Sequence, residues 1–343
     1  MITASAVKTR SGQLILDRGV TLDQQLIMRI SFYNIDEVEV EEPSSQKAPV
    51  VSHIPHKVIT SPQFQTFQFD HSMVLSSIKN CLEGYVFKGI PLDTNTLLTQ
   101  TTELYDSCRT SLDLFDMLHN MRSYDDSIYA HSLNVALICR RIGKWLKLDD
   151  DSMDTLTLCG ILHDIGKLNI PPAILNKPGK YTEEEFAIVK MHTQYGYELL
   201  KPLPVNIHIQ KAALLHHERC DGSGYPMGLT KNDTDDYAMI VAIADVYDAM
   251  TAARSYRAPL CPFQVISSFE HEGLQKYNPK FILTFLQHIA STYQNNRILL
   301  SDGRSANIVM LNQNYLSKPI VQLDDGSCID LSTQSDLHIQ SVL

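Results

Sequence analysis

The sequence lacks long hydrophobic runs and paired cysteines. No apolar stretch approaches the roughly 18–20 residues that a membrane-spanning helix needs, and residues 1–8 contain no apolar segment typical of a secretory signal. The seven cysteines form no CxxC pair and are odd in number, which is typical of free thiols in a reducing compartment. We therefore expect a cytoplasmic protein with no membrane segment and no disulfide framework.

An excess of positive charge is also absent. Lys and Arg number 29 against 39 Asp and Glu, so the net charge is −10. Nucleic-acid polymers and acidic membranes attract basic surfaces, so neither is an expected partner. A small ligand that carries phosphate would need local positive charge instead, supplied by metal ions and a few Lys or Arg side chains.

Strand signals are missing from residues 123–295, where apolar residues recur at helical spacing. Local signals bound several of these helices: a capping box that starts at Thr182, a C-terminal Gly166 and Pro279 at a first helical position. An all-α domain is therefore predicted. Its helices are expected at residues 129–146, 154–163, 182–200, 205–218 and 237–253, with another that starts at 278.

The segments before this block have two different characters. Residues 1–62 read as a small α/β region and linker, with strands near 12–16 and 35–40 and a helix near 21–30. Residues 63–122 have helical spacing. We expect these helices to support the following domain or to form a homodimer contact.

The segment after the block, residues 296–343, reads as a small β unit. Strands are predicted at 297–300, 306–311 and 319–323, separated by Asp-Gly turns. Because chain termini often lie close together, these strands could pair with the N-terminal ones. The fold class is thus mainly α, with a helical bundle at about 95–295 and small β-containing segments at both ends.

Two motifs in the helical block carry unusual chemistry. His163-Asp164 is followed some fifty residues later by His216-His217, and Gly224-Tyr225-Pro226 comes soon after. Adjacent His-Asp and His-His pairs pack poorly in a core, whereas neutral imidazole and carboxylate together suit Fe, Mn or Zn. Further candidate ligands at helical positions are His131, His192 and Asp245.

This set resembles the HD-GYP family, a branch of the HD-domain metal phosphohydrolases, over roughly residues 95–295. The resemblance implies an HD-domain helical bundle with its catalytic domain at 123–295 and a dinuclear metal site in which Asp164 bridges two ions. Members that bind a third metal carry a carboxylate one turn before the first histidine, where this chain has Ser127, so two ions are expected. The implied ligands are His131, His163, Asp164, His192, His216, His217 and Asp245.

The resemblance also implies substrate-binding residues. Lys167 would lie beside the metals and contact phosphate, Tyr225 would border the substrate, and Arg254 with Arg257 would grip phosphodiester oxygens. Arg219 and Asp221 are expected to form a salt bridge that organises the glycine-rich loop. The chain departs from the family where Cys220 replaces a frequent aromatic residue and Ser255 a frequent proline.

The activity that the resemblance implies is hydrolysis of cyclic di-GMP to pGpG, with further cleavage to GMP left open. Asp164 and Lys167 would be the catalytic residues, with two divalent ions, Fe or Mn in preference to Zn or Ni. One alternative is a phosphodiesterase for the mixed GMP–AMP cyclic dinucleotide. Another is a sensor that binds cyclic di-GMP, or a signalling-protein partner, without turnover.

Overall fold

The computed structural model describes residues 61–121, 127–177, 179–252 and 260–343, with short stretches at 2–3, 7–8, 14–16, 20 and 40–41. The chain divides into two compact units, Met1–Ser52 and His53–Leu343. Its described part is mainly helical with a small antiparallel sheet near the C-terminus, which confirms the predicted fold class. None of the described helices combines the length and apolar character required to cross a membrane.

The described strands of the first unit form two small ladders. β1 (Ile2–Thr3) pairs antiparallel with β4 (Val40–Glu41), and β2 (Val7–Lys8) pairs with β3 (Leu14–Leu16). The expectation that N-terminal strands pair with the C-terminal ones is therefore wrong for these strands. Each pairs with another strand of the same unit. The predicted helix at 21–30 lies outside the described residues.

Three helices precede the predicted catalytic domain: α1 (Pro62–Lys88), α2 (Thr94–Asp106) and α3 (Ser111–Met121). The first begins at Pro62, one residue before the predicted helical segment, and Ser61 caps it. The Ser61 Oγ accepts a hydrogen bond from the Phe64 N–H at 3.1 Å, and Pro62 occupies the first helical position. Residues assigned to the linker thus start a helix.

The helical domain that follows contains nine helices within the described residues, together with a 3₁₀ helix at Ile165–Asn169. Polar side chains cap the N-termini of six of these helices, and the predicted capping box of Thr182 and Glu185 is present. The helices are α4 (Ile128–Trp145), α5 (Asp150–Leu162), α6 (Pro172–Leu175), α7 (Glu183–Lys190), α8 (His192–Leu200), α9 (Ile207–Leu215), α10 (Asp236–Thr251), α11 (Pro262–Lys276) and α12 (Pro279–Thr292).

Several details of this domain differ from the sequence prediction. The helix expected at 154–163 begins earlier, at Asp150, and the short helix α6 was not predicted. The expected helix at 182–200 is two helices, α7 and α8, separated at Met191. The helix that opens at Cys261-Pro262, α11, was not predicted. Its proline occupies the first turn, where a missing N–H costs nothing.

The core of the domain lies among α4, α5 and α10. Leu133 and Leu137 from α4, Leu156 and Ile161 from α5 and Ile243 from α10 are all fully buried. Each fully buried side chain of this type contributes on the order of 1.5–3 kcal/mol to the stability of the fold. The packing of the three helices is therefore well stabilised. The residues next to their ends and along α10 carry the motif side chains.

The C-terminal residues form a five-stranded antiparallel sheet with the order β8-β7-β6-β5-β9. The predicted strands are present, and two more complete the sheet. A Glu270 carboxylate on α11 accepts hydrogen bonds from the backbone N–H groups of Leu316 and Ser317, which ties the loop between β6 and β7 to the helical domain. The strands are β5 (Arg297–Leu300), β6 (Ser305–Met310), β7 (Ile320–Leu323), β8 (Cys328–Asp330) and β9 (Ile339–Val342).

Candidate metal centre

The seven predicted ligands converge at one place in the helical domain, although they come from five different elements. His131 lies in the first turn of α4, and His192 is the first residue of α8. Asp245 lies in the middle of α10. The two motif pairs directly follow helices: His163-Asp164 after α5, and His216-His217 after α9.

Asp164 lies at the centre of this cluster. Its Oδ1 is 3.4 Å from His192 Nε2 and 3.7 Å from His216 Nε2. Its Oδ2 is 3.3 Å from His163 Nε2 and 3.6 Å from His131 Nε2. The two oxygens of one carboxylate therefore face two separate sets of histidines.

These contacts define two groups of ligand atoms, each with all its atoms within 4.8 Å of one another. Asp164 belongs to both groups, as a bridging carboxylate would. Asp245 completes the cluster, since its Oδ1 is 3.1 Å from His131 Nε2 and its Oδ2 is 3.9 Å from His217 Nδ1. One group contains Asp164, His192, His216 and His217, and the other His131, His163 and Asp164.

Backbone carbonyl groups at helix ends orient three of the imidazoles. The Nδ1 atoms of His163, His192 and His216 lie 2.7–2.9 Å from carbonyl oxygens three or four residues earlier. A carbonyl oxygen has two lone pairs, so a carbonyl near a helix end can accept an imidazole N–H even where, as at Ala212, it also accepts a backbone N–H. Each Nδ1 therefore carries the proton, and each Nε2 lone pair faces the centre of the cluster.

Burial keeps several of these imidazoles neutral. It lowers the pKa of His192 to about 3 and places the pKa of His216 below its ordinary value. It also holds the pKa of His217 well below the ordinary value. Because metal ligands must be deprotonated, these side chains are ready to bind a cation at neutral pH.

The carboxylates of the cluster remain ionised despite burial. Burial alone would raise the pKa of Asp164, but the neighbouring His163 and Lys167 outweigh it and hold that pKa well below its usual range. Burial acts on Asp245 in the same way, and its pKa is held low by the hydrogen bond to His131 and by His217. The cluster therefore combines buried anions with neutral nitrogens, a donor set suited to divalent cations.

Unpartnered atoms test whether a cation fits. Within the described residues, His163 Nε2 and Asp164 Oδ1 are buried without a hydrogen-bond partner. The Nε2 atoms of His192 and His216 face each other at 3.3 Å, although both have their protons on Nδ1. Facing lone pairs and orphaned buried acceptors are costly unless a cation lies among them, so the residues present fit bound metal ions.

A second carboxylate, Asp248, holds His131 from the side away from the cluster. Its Oδ2 is 2.8 Å from His131 Nδ1, and its Oδ1 accepts a hydrogen bond from Asn134 Nδ2 at 3.2 Å. Asn134 Oδ1 in turn lies 3.3 Å from His71 Nε2 on α1. Burial tends to lower the pKa of His131, but Asp245 and Asp248 outweigh it and raise the pKa to about 9. A cation bound at Nε2 would take the place of that proton.

Sequence reasoning did not identify the role of Asp248, although it stands three residues after Asp245 on the same helix face. Carboxylates that orient metal-binding histidines commonly contribute a factor of 10–100 in metal affinity. We therefore expect Asp248→Asn to weaken metal binding about 10–100-fold, measured by competition with a chromogenic chelator. Asp154→Asn, which removes a half-exposed partner of Arg140, is the matched control. Equal affinity of Asp248→Asn and wild type would contradict this role.

Gly166 lies in the 3₁₀ helix after Asp164 and was expected to end the preceding helix in a left-handed conformation. This expectation is wrong: α5 ends at Leu162, and Gly166 is absent from the described glycines with positive φ. It is required for close packing instead. A Cβ at Gly166 would lie 1.9 Å from the His192 carbonyl oxygen and 2.4 Å from the Gly196 nitrogen.

We expect Gly166→Ala to destabilise the fold because neither backbone group can yield. Overpacking of this kind costs about 1–3 kcal/mol or more, which a thermal or urea unfolding experiment would detect. Gly84→Ala is the control, since its Cβ would meet nothing nearer than a flexible Ile90 side-chain atom at 3.4 Å. If Gly166→Ala unfolded at the wild-type midpoint, the close approach would be wrong.

Lys167 lies beside Asp164, the residue that the resemblance implies to bridge the metals. Its Nζ is 2.5 Å from Asp164 Oδ2, and the side chain is largely buried. The ammonium group thus stands at the edge of the cluster, where it can reach an oxygen of a bound phosphoryl group.

The loop that carries Tyr225 is held against the cluster by backbone packing and by Glu218. A Cβ at Gly224 would lie 2.4–2.5 Å from backbone atoms of residues 217–219, so only glycine fits there. The buried Glu218 carboxylate accepts hydrogen bonds from the N–H groups of Met227 (2.7 Å) and Leu229 (2.9 Å). The Tyr225 ring consequently stacks on His217, with centroids 4.6 Å apart.

Not every predicted site residue is in place. No ion pair joins Arg219 to Asp221 in the part of the chain that is described. The Arg219 guanidinium instead donates to the carbonyl of Glu218 and lies over the Tyr277 ring, 5.2 Å from its centroid. Arg254 and Arg257 lie outside the described residues. Ser127 caps α4 by accepting a hydrogen bond from the Ala130 N–H at 3.2 Å.

Comparison with known families matches residues 103–281 to the HD domain. This match covers just over half of the chain, and the chain belongs to the HD-domain family. The proteins it resembles within that family are cyclic dinucleotide phosphodiesterases, which agrees with the resemblance drawn from its two motifs.

Two curated relatives illustrate the likeness. The chain is 32% identical over 214 residues to 3'3'-cGAMP-specific phosphodiesterase 2 of Vibrio cholerae, which covers 61% of this chain and 40% of that protein. It is 35% identical over 188 residues to a cyclic di-GMP phosphodiesterase of Thermotoga maritima, with 54% and 50% covered. The chain thus spans half or less of the length of these relatives.

A solved structure supports the fold. Bd1817, an HDG"Y"P protein of Bdellovibrio bacteriovorus, superposes with a TM-score of 0.55, covering 83% of this chain and 92% of that one. At 18% identity, the likeness establishes the architecture alone.

Proposed function

We propose that this protein is a metal-dependent phosphodiesterase that hydrolyses cyclic di-GMP to pGpG. The observation that carries the proposal is the position of Asp164, whose two oxygens face two histidine groups while Lys167 lies against it. A site for two cations with an adjacent ammonium group suits the oxygens of a phosphodiester. The named activities of the relatives in Vibrio cholerae and Thermotoga maritima support the same substrate class.

Two divalent cations would be held by the seven ligands described above, and we propose Fe or Mn. When bound, the cations supply Lewis acidity at phosphoryl oxygens and lower the pKa of an attacking water molecule. Asp164 would hold both cations at a fixed separation. The Nδ1–H hydrogen bonds of His163, His192 and His216 would keep each Nε2 directed at them.

The other proposed roles concern the substrate. Lys167 would place its ammonium beside the reacting phosphoryl group and offset the charge that develops there. Tyr225 would border the bound nucleotide. Arg254 and Arg257 would bind the phosphodiester oxygens through their guanidinium groups. Ser127 supplies no carboxylate for a third cation, so two ions per chain are proposed.

A second candidate substrate is the mixed GMP–AMP cyclic dinucleotide, which the first relative's name specifies. Both substrates contain the phosphodiester that the cluster addresses, so the bases must decide between them. Further cleavage of pGpG to GMP belongs to the same proposal. A sensor without turnover is less well supported, because the chain retains all seven ligands.

The test is anaerobic purification followed by elemental analysis and turnover assays on cyclic di-GMP and 3'3'-cGAMP, with products separated by chromatography. We expect about two metal ions per chain and formation of pGpG. A metal-loaded protein that binds cyclic di-GMP without product would favour the sensor. A clear preference for 3'3'-cGAMP in kcat/KM would favour the second substrate.

A further inference from the structure

A pair of aromatic rings borders the metal cluster on the side of α7. Phe186 is 44% exposed although it is a large apolar residue, so the fold itself gains little from its ring. Its centroid lies 6.2 Å from that of Tyr225, and the two rings are nearly perpendicular at 81°. The exposed Phe186 ring therefore meets Tyr225 in an edge-to-face contact, and the two rings form an aromatic corner.

This aromatic corner is continuous with the cluster. Tyr225 stacks on His217 with an interplanar angle of 27°, and it also meets His192 edge to face. His217 and His192 are both members of one ligand group. A molecule lying on the Phe186 and Tyr225 rings would thus be next to the cations.

A positively charged side chain, that of Lys190, lies against both aromatic rings. Lys190 follows Phe186 by four residues, one helical turn along α7. Its Nζ lies 5.2 Å from the Phe186 centroid and 5.9 Å from the Tyr225 centroid. Both rings contact the ammonium group. In the part of the chain that the structure describes, no carboxylate forms a salt bridge with Lys190, so its ammonium is available to the oxygens of a ligand.

We propose that Phe186, Tyr225 and Lys190 form a base-binding platform that stacks one purine of the cyclic dinucleotide while a phosphodiester lies at the metal cluster. The inference rests on the proposed function and names which part of the substrate this surface takes. Purines stack on exposed aromatic rings in many nucleotide sites, and each stack typically strengthens binding by a factor of about 5 to 150. One ribose separates base from phosphate, which matches a platform that adjoins a metal ligand.

The platform can be tested with substitutions at the exposed ring, because these leave the core intact. Phe186→Ala removes the ring, Phe186→Leu keeps apolar bulk without a π face, and Phe186→Trp enlarges the face. Phe69→Ala is the matched control, since Phe69 is another exposed phenylalanine and lies on α1. Each variant would be assayed on cyclic di-GMP and on methyl p-nitrophenyl phosphate, a phosphodiester without purines.

The ratio of kcat/KM for cyclic di-GMP to that for the base-free ester is expected to fall about tenfold or more in Phe186→Ala and Phe186→Leu. Phe186→Trp and Phe69→Ala should keep the wild-type ratio. A wild-type ratio in Phe186→Leu or Phe186→Ala would overturn the platform while the phosphodiesterase activity stood.

Calorimetric binding of pGpG separates failure of the platform from failure of the proposed function. We expect its Kd to rise about tenfold in Phe186→Ala. If wild-type protein turned over no cyclic dinucleotide but this difference in Kd remained, the proposed activity would be overturned and the base-binding platform supported. Equal Kd values for wild type and Phe186→Ala would overturn the platform.

Discussion

Replacing Asp164 with Asn is expected to empty both cation sites and to lower turnover on the order of 10³-fold or more. The substitution preserves the shape of the side chain but removes the negative charge that lies between the two histidine groups. The oxygens of Asp164 are 3.3–3.7 Å from four Nε2 atoms, so no other described side chain can take its place. Elemental analysis and cyclic di-GMP turnover would measure the two effects together.

His192→Ala is the comparison that makes this result specific. His192 belongs to only one of the two ligand groups, so its loss is expected to empty mainly one site. Circular dichroism of both variants would establish that the helices remain. Two bound ions and normal turnover in Asp164→Asn would show that the dinuclear assignment is wrong.

Several helices of the helical domain could be predicted because their starting points depend on neighbouring residues. The capping box of Thr182 and Glu185 and the Asn278-Pro279 start are local signals, and each opens a helix as expected. Asp235 caps a third helix in the same way. The interruption at Met191 has no such signal. It coincides with the hydrogen bond from His192 Nδ1 to the Val189 carbonyl oxygen. This hydrogen bond orients the His192 imidazole toward the other candidate ligands.

Gly166 shows where interpretation of a local sequence signal fails. A glycine after a helix usually provides a left-handed cap, and the sequence supports that interpretation. Its actual requirement is the approach of α8, which is distant in sequence and brings the His192 carbonyl against it. Contacts between separate helices are invisible in local patterns, so the residue was recognised as important for the wrong physical reason.

In the candidate site, too, the sequence identified the motif residues but not the residues that support them from distant positions. The motif residues converge as the family resemblance implies, and the two oxygens of Asp164 face both ligand groups. Asp248 and Glu218 were not given roles, because their partners are His131 and the backbone of residues 227–229. Such supporting residues depend on three-dimensional placement. The four-part division at residues 62, 122 and 295, and a homodimer through residues 63–122, remain predictions.

Lys167→Ala is expected to lower kcat about 10²–10³-fold, the usual consequence of removing one group that stabilises developing charge. The Lys167 Nζ lies 2.5 Å from the Asp164 carboxylate and the side chain is 21% exposed, so the ammonium stands where water screens its charge poorly. Because Lys167 is not among the cation ligands, elemental analysis should still find both ions. Lys167→Arg keeps the positive charge and should recover part of the lost kcat.

Lys201→Ala provides the control for Lys167. Both lysines pair with a carboxylate three residues earlier in the chain, Lys201 with Glu198 and Lys167 with Asp164. The Lys201 pair is longer, at 3.8 Å, and is well exposed. Exposed pairs of this kind contribute little, and wild-type kcat is expected. Full turnover in Lys167→Ala with both metals bound would assign this lysine to the packing of Asp164 alone. Loss of metal in Lys167→Ala would instead mean that the Lys167 ammonium is needed for metal binding. In that case the Asp164 carboxylate depends on Lys167 to remain ionised.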